Sequence, residues 1–259
     1  MIRTKTNRQI AFSLCLLSIL FSASSWAEDQ LSIAVFGASG RIGSVVVLEA
    51  LQRGHRVLGV SRDPEKLSLS HNNFVATKGD LGNIESLSRI VSQVDAVVIS
   101  VSARAKDNKP ENSMLVTFTD NMIKLLSGMK AKPYIVQVGG ANLMYGSTYE
   151  EVKRNMGDAQ FNYDEGTSMH AVLFGHQISL EMYRASELAW TVIAPPMRIL
   201  GIYGELDSST TRPSFRVSNT QALVAKDGSK TIYVRDLARA LVNEIESRNY
   251  IGQVFNVAY

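Results

Sequence analysis

A doubly wound α/β fold, one parallel sheet covered by helices on both faces, is what this sequence predicts, and three observations predict it. Short apolar runs alternate with stretches of helical periodicity along most of the chain. A glycine-rich turn stands between the first such run and the first helical stretch. The composition, 45% apolar and 20% charged over 259 residues, is that of one globular domain with a single sizeable core. Alternation of this kind needs crossover connections, which make neighbouring strands parallel and lay helices over both faces.

Residues 1–27 stand apart from that pattern. Arg3, Lys5 and Arg8 precede an apolar run from Ile10 to Phe21, and Ser22-Ala23-Ser24-Ser25-Trp26-Ala27 follows. Base, apolar stretch and small residues in that order are a secretory signal peptide, with a cut expected before Glu28 and export, to a periplasm, as its consequence. An uncleaved membrane anchor is the alternative. Against it, the run is shorter than the ~20 residues of a bilayer span, and Ser13 and Ser18 interrupt it. Cys15, the only cysteine, lies in this segment, so residues 28–259 have no thiol, disulfide or cysteine metal ligand. The three leader bases account for the whole formal charge of +3 and leave the remainder neutral. A neutral domain lacks in bulk the basic footprint of a nucleic-acid or anionic-lipid binder, although a local patch is compatible with it.

From Leu31 onward the elements read in sequence. Strands are expected at Leu31 to Phe36, Arg56 to Val60, Phe74 to Thr77, Ala96 to Val101, Tyr134 to Val138, Thr191 to Ala194 and, closing the chain, Gln253 to Tyr259. Helices are expected at Arg41 to Arg53, near Ile84 to Val91, Leu115 to Gly128, Ser168 to Ser186 and Asp236 to Ser247. No repeat, low-complexity tract or interdomain linker divides residues 28–259, which read as one domain. Two connections, Asn142 to Thr167 and Met197 to Thr220, are longer than ordinary ones and follow strands at their carboxyl ends, where open α/β sheets bind ligands. They either cover a substrate or simply cap the sheet.

Gly37-Ala38-Ser39-Gly40-Arg41-Ile42-Gly43 follows the first strand and opens the first helix, in a unit that returns to a second strand at Val57. That context makes it a Rossmann-type dinucleotide loop. Gly37 permits the tight turn, Gly40 lets backbone approach the pyrophosphate, and Gly43 lets helix and sheet pack closely. Amide N–H groups of the first helical turn, with the positive end of the helix dipole, then face the phosphates. The same glycines without nucleotide would be a turn-and-packing device. Cofactor choice is read after the second strand, where Gly59-Val60-Ser61-Arg62-Asp63 places an arginine rather than an acid first. Arg62, helped by Arg41, can hold a 2′-phosphate, which favours NADP (NADPH) over NAD. In the other reading Arg62 is a solvated arginine and Asp63 meets the ribose.

These motifs resemble the atypical short-chain dehydrogenases of the NAD(P)H-binding group that includes NmrA-like proteins, flavin reductases and biliverdin reductase B. Ser61-Arg62-Asp63-Pro64, Lys78-Gly79-Asp80-Leu81, Asp95-Ala96-Val97-Val98-Ile99-Ser100 and Val138-Gly139-Gly140-Ala141 follow the glycine loop in that group's order. Trp190-Thr191-Val192-Ile193-Ala194-Pro195-Pro196 and the terminal Val254-Phe255-Asn256-Val257-Ala258-Tyr259 extend the similarity, which is greatest to small bacterial NADH-flavin reductase-like chains. The resemblance implies that Asp80 and Leu81 border the adenine, that Ser100 and Val101 line the adenosine side, and that Gly139 and Gly140 leave room for the nicotinamide. Taken alone, Asp80 could equally cap the helix before Ile84.

No catalytic residue is identified. Tyr149-Glu150-Glu151-Val152-Lys153 has the Tyr-x-x-x-Lys form in which lysine lowers the phenol's pKa, but Gly157 and Gly166 separate it from the next helix, so it falls in a loop and reads as a coincidence of spacing. Tyr145 and Tyr163 lie near the same edge. His170 and His176 fall on different helix faces, which excludes a shared metal site, and no metal is expected. Three functions stay open: an NADPH-dependent reductase of a planar acceptor such as a flavin or quinone, which needs little acid catalysis; a nucleotide sensor of the NmrA kind; and an epimerase or dehydratase.

Overall fold

The computed structural model describes residues 30–146, 148–156, 164–201, 214–225 and 227–259. The leader therefore lies outside the described residues, as does Tyr163. Residues 31–259 form one compact unit.

Its sheet has eight strands. β1 (Ser32–Phe36), β2 (Arg56–Ser61) and β3 (Phe74–Lys78) run outward to one side, and β4 (Ala96–Ile99), β5 (Tyr134–Val138) and β6 (Trp190–Ala194) to the other, giving the order β3-β2-β1-β4-β5-β6, continued by β10 (Gln253–Ala258) and β8 (Arg216–Ser218). All neighbours are parallel except β8, which runs against β10. The chain reverses direction between β3 and β4, so β1 and β4 are adjacent at a topological switch point. Ligands bind at the carboxyl ends of strands at such a point.

Period-two alternation sends the side chains of each strand to opposite faces. Ile33 and Val35 of β1 enter a core shared with α1 (Gly43–Gln52) and α6 (Val234–Ser247). Ala34 and Phe36 enter a second core under α2 (Ile84–Val91), α3 (Met114–Ser127) and α5 (Ser168–Arg184). Every predicted strand and helix is present, with ends that differ by up to two residues. The long connections depart further from expectation. The first contains a helix, α4 (Tyr149–Met156); the second holds β7 (Arg198–Leu200) and β8, and β7 pairs in parallel with β9 (Thr231–Tyr233) in a small separate sheet. Edge segments of three residues are too short for a periodicity to show.

Candidate functional site

At the carboxyl end of β1, three glycines converge on one carbonyl. Gly37 adopts φ +84°, and a Cβ there would stand 2.3 Å from the Ser100 carbonyl oxygen. Its own carbonyl accepts the Gly40 amide at 2.8 Å, and a Cβ on Gly43 would lie only 2.2 Å from that oxygen. The turn, the start of α1 and the end of β4 are thus in backbone contact, which side chains at 37 and 43 would prevent. At Gly40 an added Cβ would meet only the Gly37 oxygen, at 3.0 Å, so its outer side stays open to a ligand. Gly37 and Gly43 thus make the tight turn and the close packing that the motif requires.

α1 begins differently from its neighbours. Asn83, Ser113 and Thr167 cap α2, α3 and α5 by accepting the amide N–H three residues on. Ile42 gives α1 no side-chain cap, and its first turn holds no acidic residue. Among the described residues the amides of Ile42 and Gly43 have no hydrogen-bond partner. Free amides at the positive end of a helix dipole suit a phosphate.

The remaining predicted residues gather around this turn. Ser39 and Ser61 hydroxyls lie 3.4 Å apart and tie the loop to the end of β2. The Ser61 hydroxyl also accepts the Asp63 amide at 3.2 Å and donates to the Asp63 carbonyl at 3.0 Å. The Asp63 carboxylate turns to Lys66, 3.2 Å away. Arg62, by contrast, is exposed and makes no ion pair or side-chain hydrogen bond with a described residue. Ser100 donates its amide to Phe36 O at 2.9 Å across the β1–β4 junction, and Val101 reaches to within 3.4 Å of the space above Gly37. Leu81 packs on the α2–α3 core, its carbonyl accepting from Asn121 Nδ2 at 3.2 Å.

Two expected roles change. Asp80 does not cap α2: Asn83 does, while the Asp80 carboxylate accepts the Gly82 amide at 3.0 Å. Gly139 and Gly140 are buried, and the space a Cβ would need is taken by protein, by Val192 and Leu143 at the first and by Asn142 Oδ1 and His176 at the second. Close packing, not clearance for a ring, accounts for glycine at both.

Beyond β5, Tyr149 and Lys153 are one turn apart on α4, not in a loop. Lys153 Nζ donates to the Tyr149 hydroxyl at 3.2 Å, and that hydroxyl donates to Asp164 Oδ1 at 2.7 Å. Asp164 pushes the Tyr149 pKa up by more than Lys153 pulls it down, whereas a proton-donating Tyr-Lys pair needs the opposite. The Tyr149, His170 and Phe174 rings are mutually in contact, and with Val152 and Leu173 they fasten α4 onto α5. Tyr145 and Met197 border the same cluster. His176 is buried at the other side of α5, where desolvation holds its pKa down to about 4. The described residues contain no group of three or more His, Cys, Asp or Glu able to hold a metal ion.

Sequence reasoning passed over the segment after Val101. Ala103 is buried against α5 at Gly175, where a Cβ would meet Ala103 and Ser113 at 3.0–3.2 Å. This anchor holds the chain leaving the switch point. A lone glycine in mid-helix was its signal, since glycine there costs about 1 kcal/mol unless a close approach needs it.

A family profile described as NAD(P)H-binding matches residues 37–248. Among solved structures, a Burkholderia pseudomallei protein described as exported is 27% identical, with 89% of this chain and 100% of that one covered and a TM-score of 0.67. A Streptococcus pneumoniae protein carrying the name NADH-flavin reductase is 20% identical, with 88% and 98% covered and a TM-score of 0.67. A short-chain dehydrogenase/reductase of Veillonella parvula in complex with NADP shares 12% identity, 88% and 94% coverage and a TM-score of 0.57. No curated protein matches.

Proposed function

We propose that this chain, which belongs to the family of NAD(P)H-binding proteins, is an NADPH-dependent reductase of a planar acceptor such as a flavin or quinone. The observation that carries the cofactor choice is the contrast between Arg62 and Asp63. The arginine is exposed and unpaired among the described residues, while the acid that would otherwise meet a ribose is engaged by Lys66. The pyrophosphate would lie against the Ile42 and Gly43 amides, beside Ser39 and Gly40, and Arg41 adds charge at the same turn. Ser61 and Arg62 would flank the 2′-phosphate, Asp80 and Leu81 the adenine, Ser100 and Val101 the adenosine. Gly139 and Gly140 would border the nicotinamide half through their backbone. The bound nicotinamide supplies hydride; the protein orients the rings and excludes water.

A planar acceptor fits the state of Tyr149. Its proton is held by Asp164, and charge spread over a conjugated acceptor needs no dedicated phenol. The NADH-flavin reductase name of the Streptococcus neighbour supports the same acceptor class. The leader and the exported Burkholderia relative support export after a cut before Glu28; no helix of the described residues is long and apolar enough to cross a membrane. An intact Met1 on the native protein, seen by mass spectrometry, would refute that cut.

The test of the cofactor assignment is Arg62→Ala. Because Arg62 is exposed, the loss for NADPH is set at the low end of a charge-assisted hydrogen bond, about 1.5 kcal/mol or roughly tenfold in Kd, with NADH unchanged. Equal losses for both cofactors would defeat it. NADPH oxidation with flavin and quinone acceptors tests the activity: tight NADPH binding without turnover of any acceptor would favour a nucleotide sensor.

A further inference from the structure

On the outer half of the sheet, no helix of the described residues covers the face of β2 and β3 beyond α2. The alternation of β2 puts Arg56, Leu58, Val60 and Arg62 on this face, and the register sets Val75 beside Leu58 and Thr77 beside Val60. α2 covers Val60, which is buried, but leaves Val75 53% exposed in mid-strand. The result is a groove of about 790 Å³, with Leu58, Val75 and Ile90 as an apolar floor. Arg56 and Arg62, six residues apart, stand at opposite ends, separated by about 20 Å at ~3.3 Å per residue.

Its charge is one-sided. Arg56, Arg62, Lys78 and Arg89 all line it, and none makes an ion pair or side-chain hydrogen bond with a described residue. The proposed 2′-phosphate accounts for Arg62, but not for Arg56, Lys78 and Arg89. Asp80 is the one acid among the described lining residues, and it lies at the Arg62 and Lys78 end. The other end, with Arg56, Arg89 and Gln93, has no acid; Glu85, one turn before Arg89 on α2, is not paired with it. Cations that line a cavity without a counter-ion suit an anionic ligand.

We propose that this groove, which meets the dinucleotide site only at its Arg62 and Asp80 end, is a second ligand site for an elongated amphiphilic anion: an acidic head group at Arg56 and Arg89, and an apolar body along Leu58, Val75 and Ile90. The volume falls within the range of small-molecule sites, which sets a chain-like molecule above a protein partner. Both halves of the ligand are needed. Charge alone would leave the apolar floor wet, and an apolar chain alone would leave the arginines uncompensated.

The experiment is calorimetric titration of the full chain with dodecanoate below its micelle concentration, against octanoate and dodecyltrimethylammonium. Saturable one-to-one binding of dodecanoate is expected, weaker by roughly tenfold or more for octanoate because less chain is buried, and absent for the cation. Arg56→Gln with Arg89→Gln should weaken dodecanoate at least tenfold while cooperative thermal unfolding is retained. Val75→Asp, a change at an exposed position, should do the same by putting a carboxylate on the floor, and keeps the test decisive if the double variant does not fold. Equal binding of anion and cation, no effect of these substitutions, no binding at all, or strict competition with NADPH would each overturn the proposal.

Discussion

Lowering the pH from 7 to 4 should weaken this fold through one histidine. His176 is 7% exposed, its Nδ1 has no hydrogen-bond partner among the described residues, and its ring lies beside Gly140 at the end of β5. Burial without a partner favours the neutral ring, so its pKa falls from 6.5 to about 4. Between those values the unfolded chain binds a proton that the folded chain refuses. The stability due to this group is therefore fully present above pH 6.5 and is lost as the pH falls toward 4. At about 1.36 kcal/mol per unit, the loss reaches about 2 kcal/mol by pH 5 and about 3 kcal/mol by pH 4, against a total of ~5–15 kcal/mol for a typical domain. Urea unfolding followed by circular dichroism at pH 7, 6 and 5 reads it directly. His176→Met keeps an apolar side chain there and removes the titration, so whatever its own cost, stability should change with pH by about 2 kcal/mol less than in the wild type. Parallel pH profiles for the two proteins would refute the reasoning.

Gly43→Ala should destabilise the protein by about 1–3 kcal/mol, because the new Cβ meets backbone that can yield only by moving α1 away from Gly37, and should weaken NADPH at least tenfold. Gly128→Ala, where the nearest atom is 3.8 Å away, is the matching control in thermal unfolding and cofactor titration. Glu244, 2% exposed, accepts the Tyr134 hydroxyl and the amides of Asn249 and Tyr250 at 3.2 and 2.9 Å, while the Thr191 hydroxyl beside it donates to the Tyr250 carbonyl at 2.6 Å. Glu244→Ala should cost about 3 kcal/mol or more by orphaning these donors, a loss visible in urea midpoints. Tyr149→Phe and Lys153→Ala should retain reductase activity within about tenfold, a barrier change of ~1.4 kcal/mol; a thousandfold loss at Tyr149 with unchanged NADPH affinity would restore the proton-donor mechanism.

The parts of this molecule that a sequence displays are those governed by repetition and by the geometry of short turns. Strands buried on both faces, such as Ala96-Val97-Val98-Ile99, read as continuous apolar runs, and α3 shows its buried face at Leu115, Phe118, Met122 and Leu126. The glycine turn was legible for a different reason. Gly37 and Gly43 each stand where backbone contact excludes a side chain, and the three-residue spacing through Gly40 sets them out within seven residues.

What sequence could not display depends on contacts between residues distant in the chain. Glycine at 139 and 140 is consistent with a ligand or with packing, and only the positions of Val192, Leu143, Asn142 and His176 decide for packing. The Tyr149–Lys153 spacing is the same in a catalytic pair and in a helix surface pair; Asp164, eleven residues beyond Lys153, reverses the sign of the tyrosine's shift. Arg62 and Asp63 posed the same ambiguity; Asp63 is paired with Lys66 and Arg62 is unpaired among the described residues, which supports the proposed choice of NADPH. In each case one neighbour, not the motif, sets the chemistry. A motif fixes which groups can act. Whether they do depends on whether a third group already holds them: Asp164 holds Tyr149 and Lys66 holds Asp63, while Arg62 is unpaired among the described residues, which is the ground on which a phosphate is proposed for it.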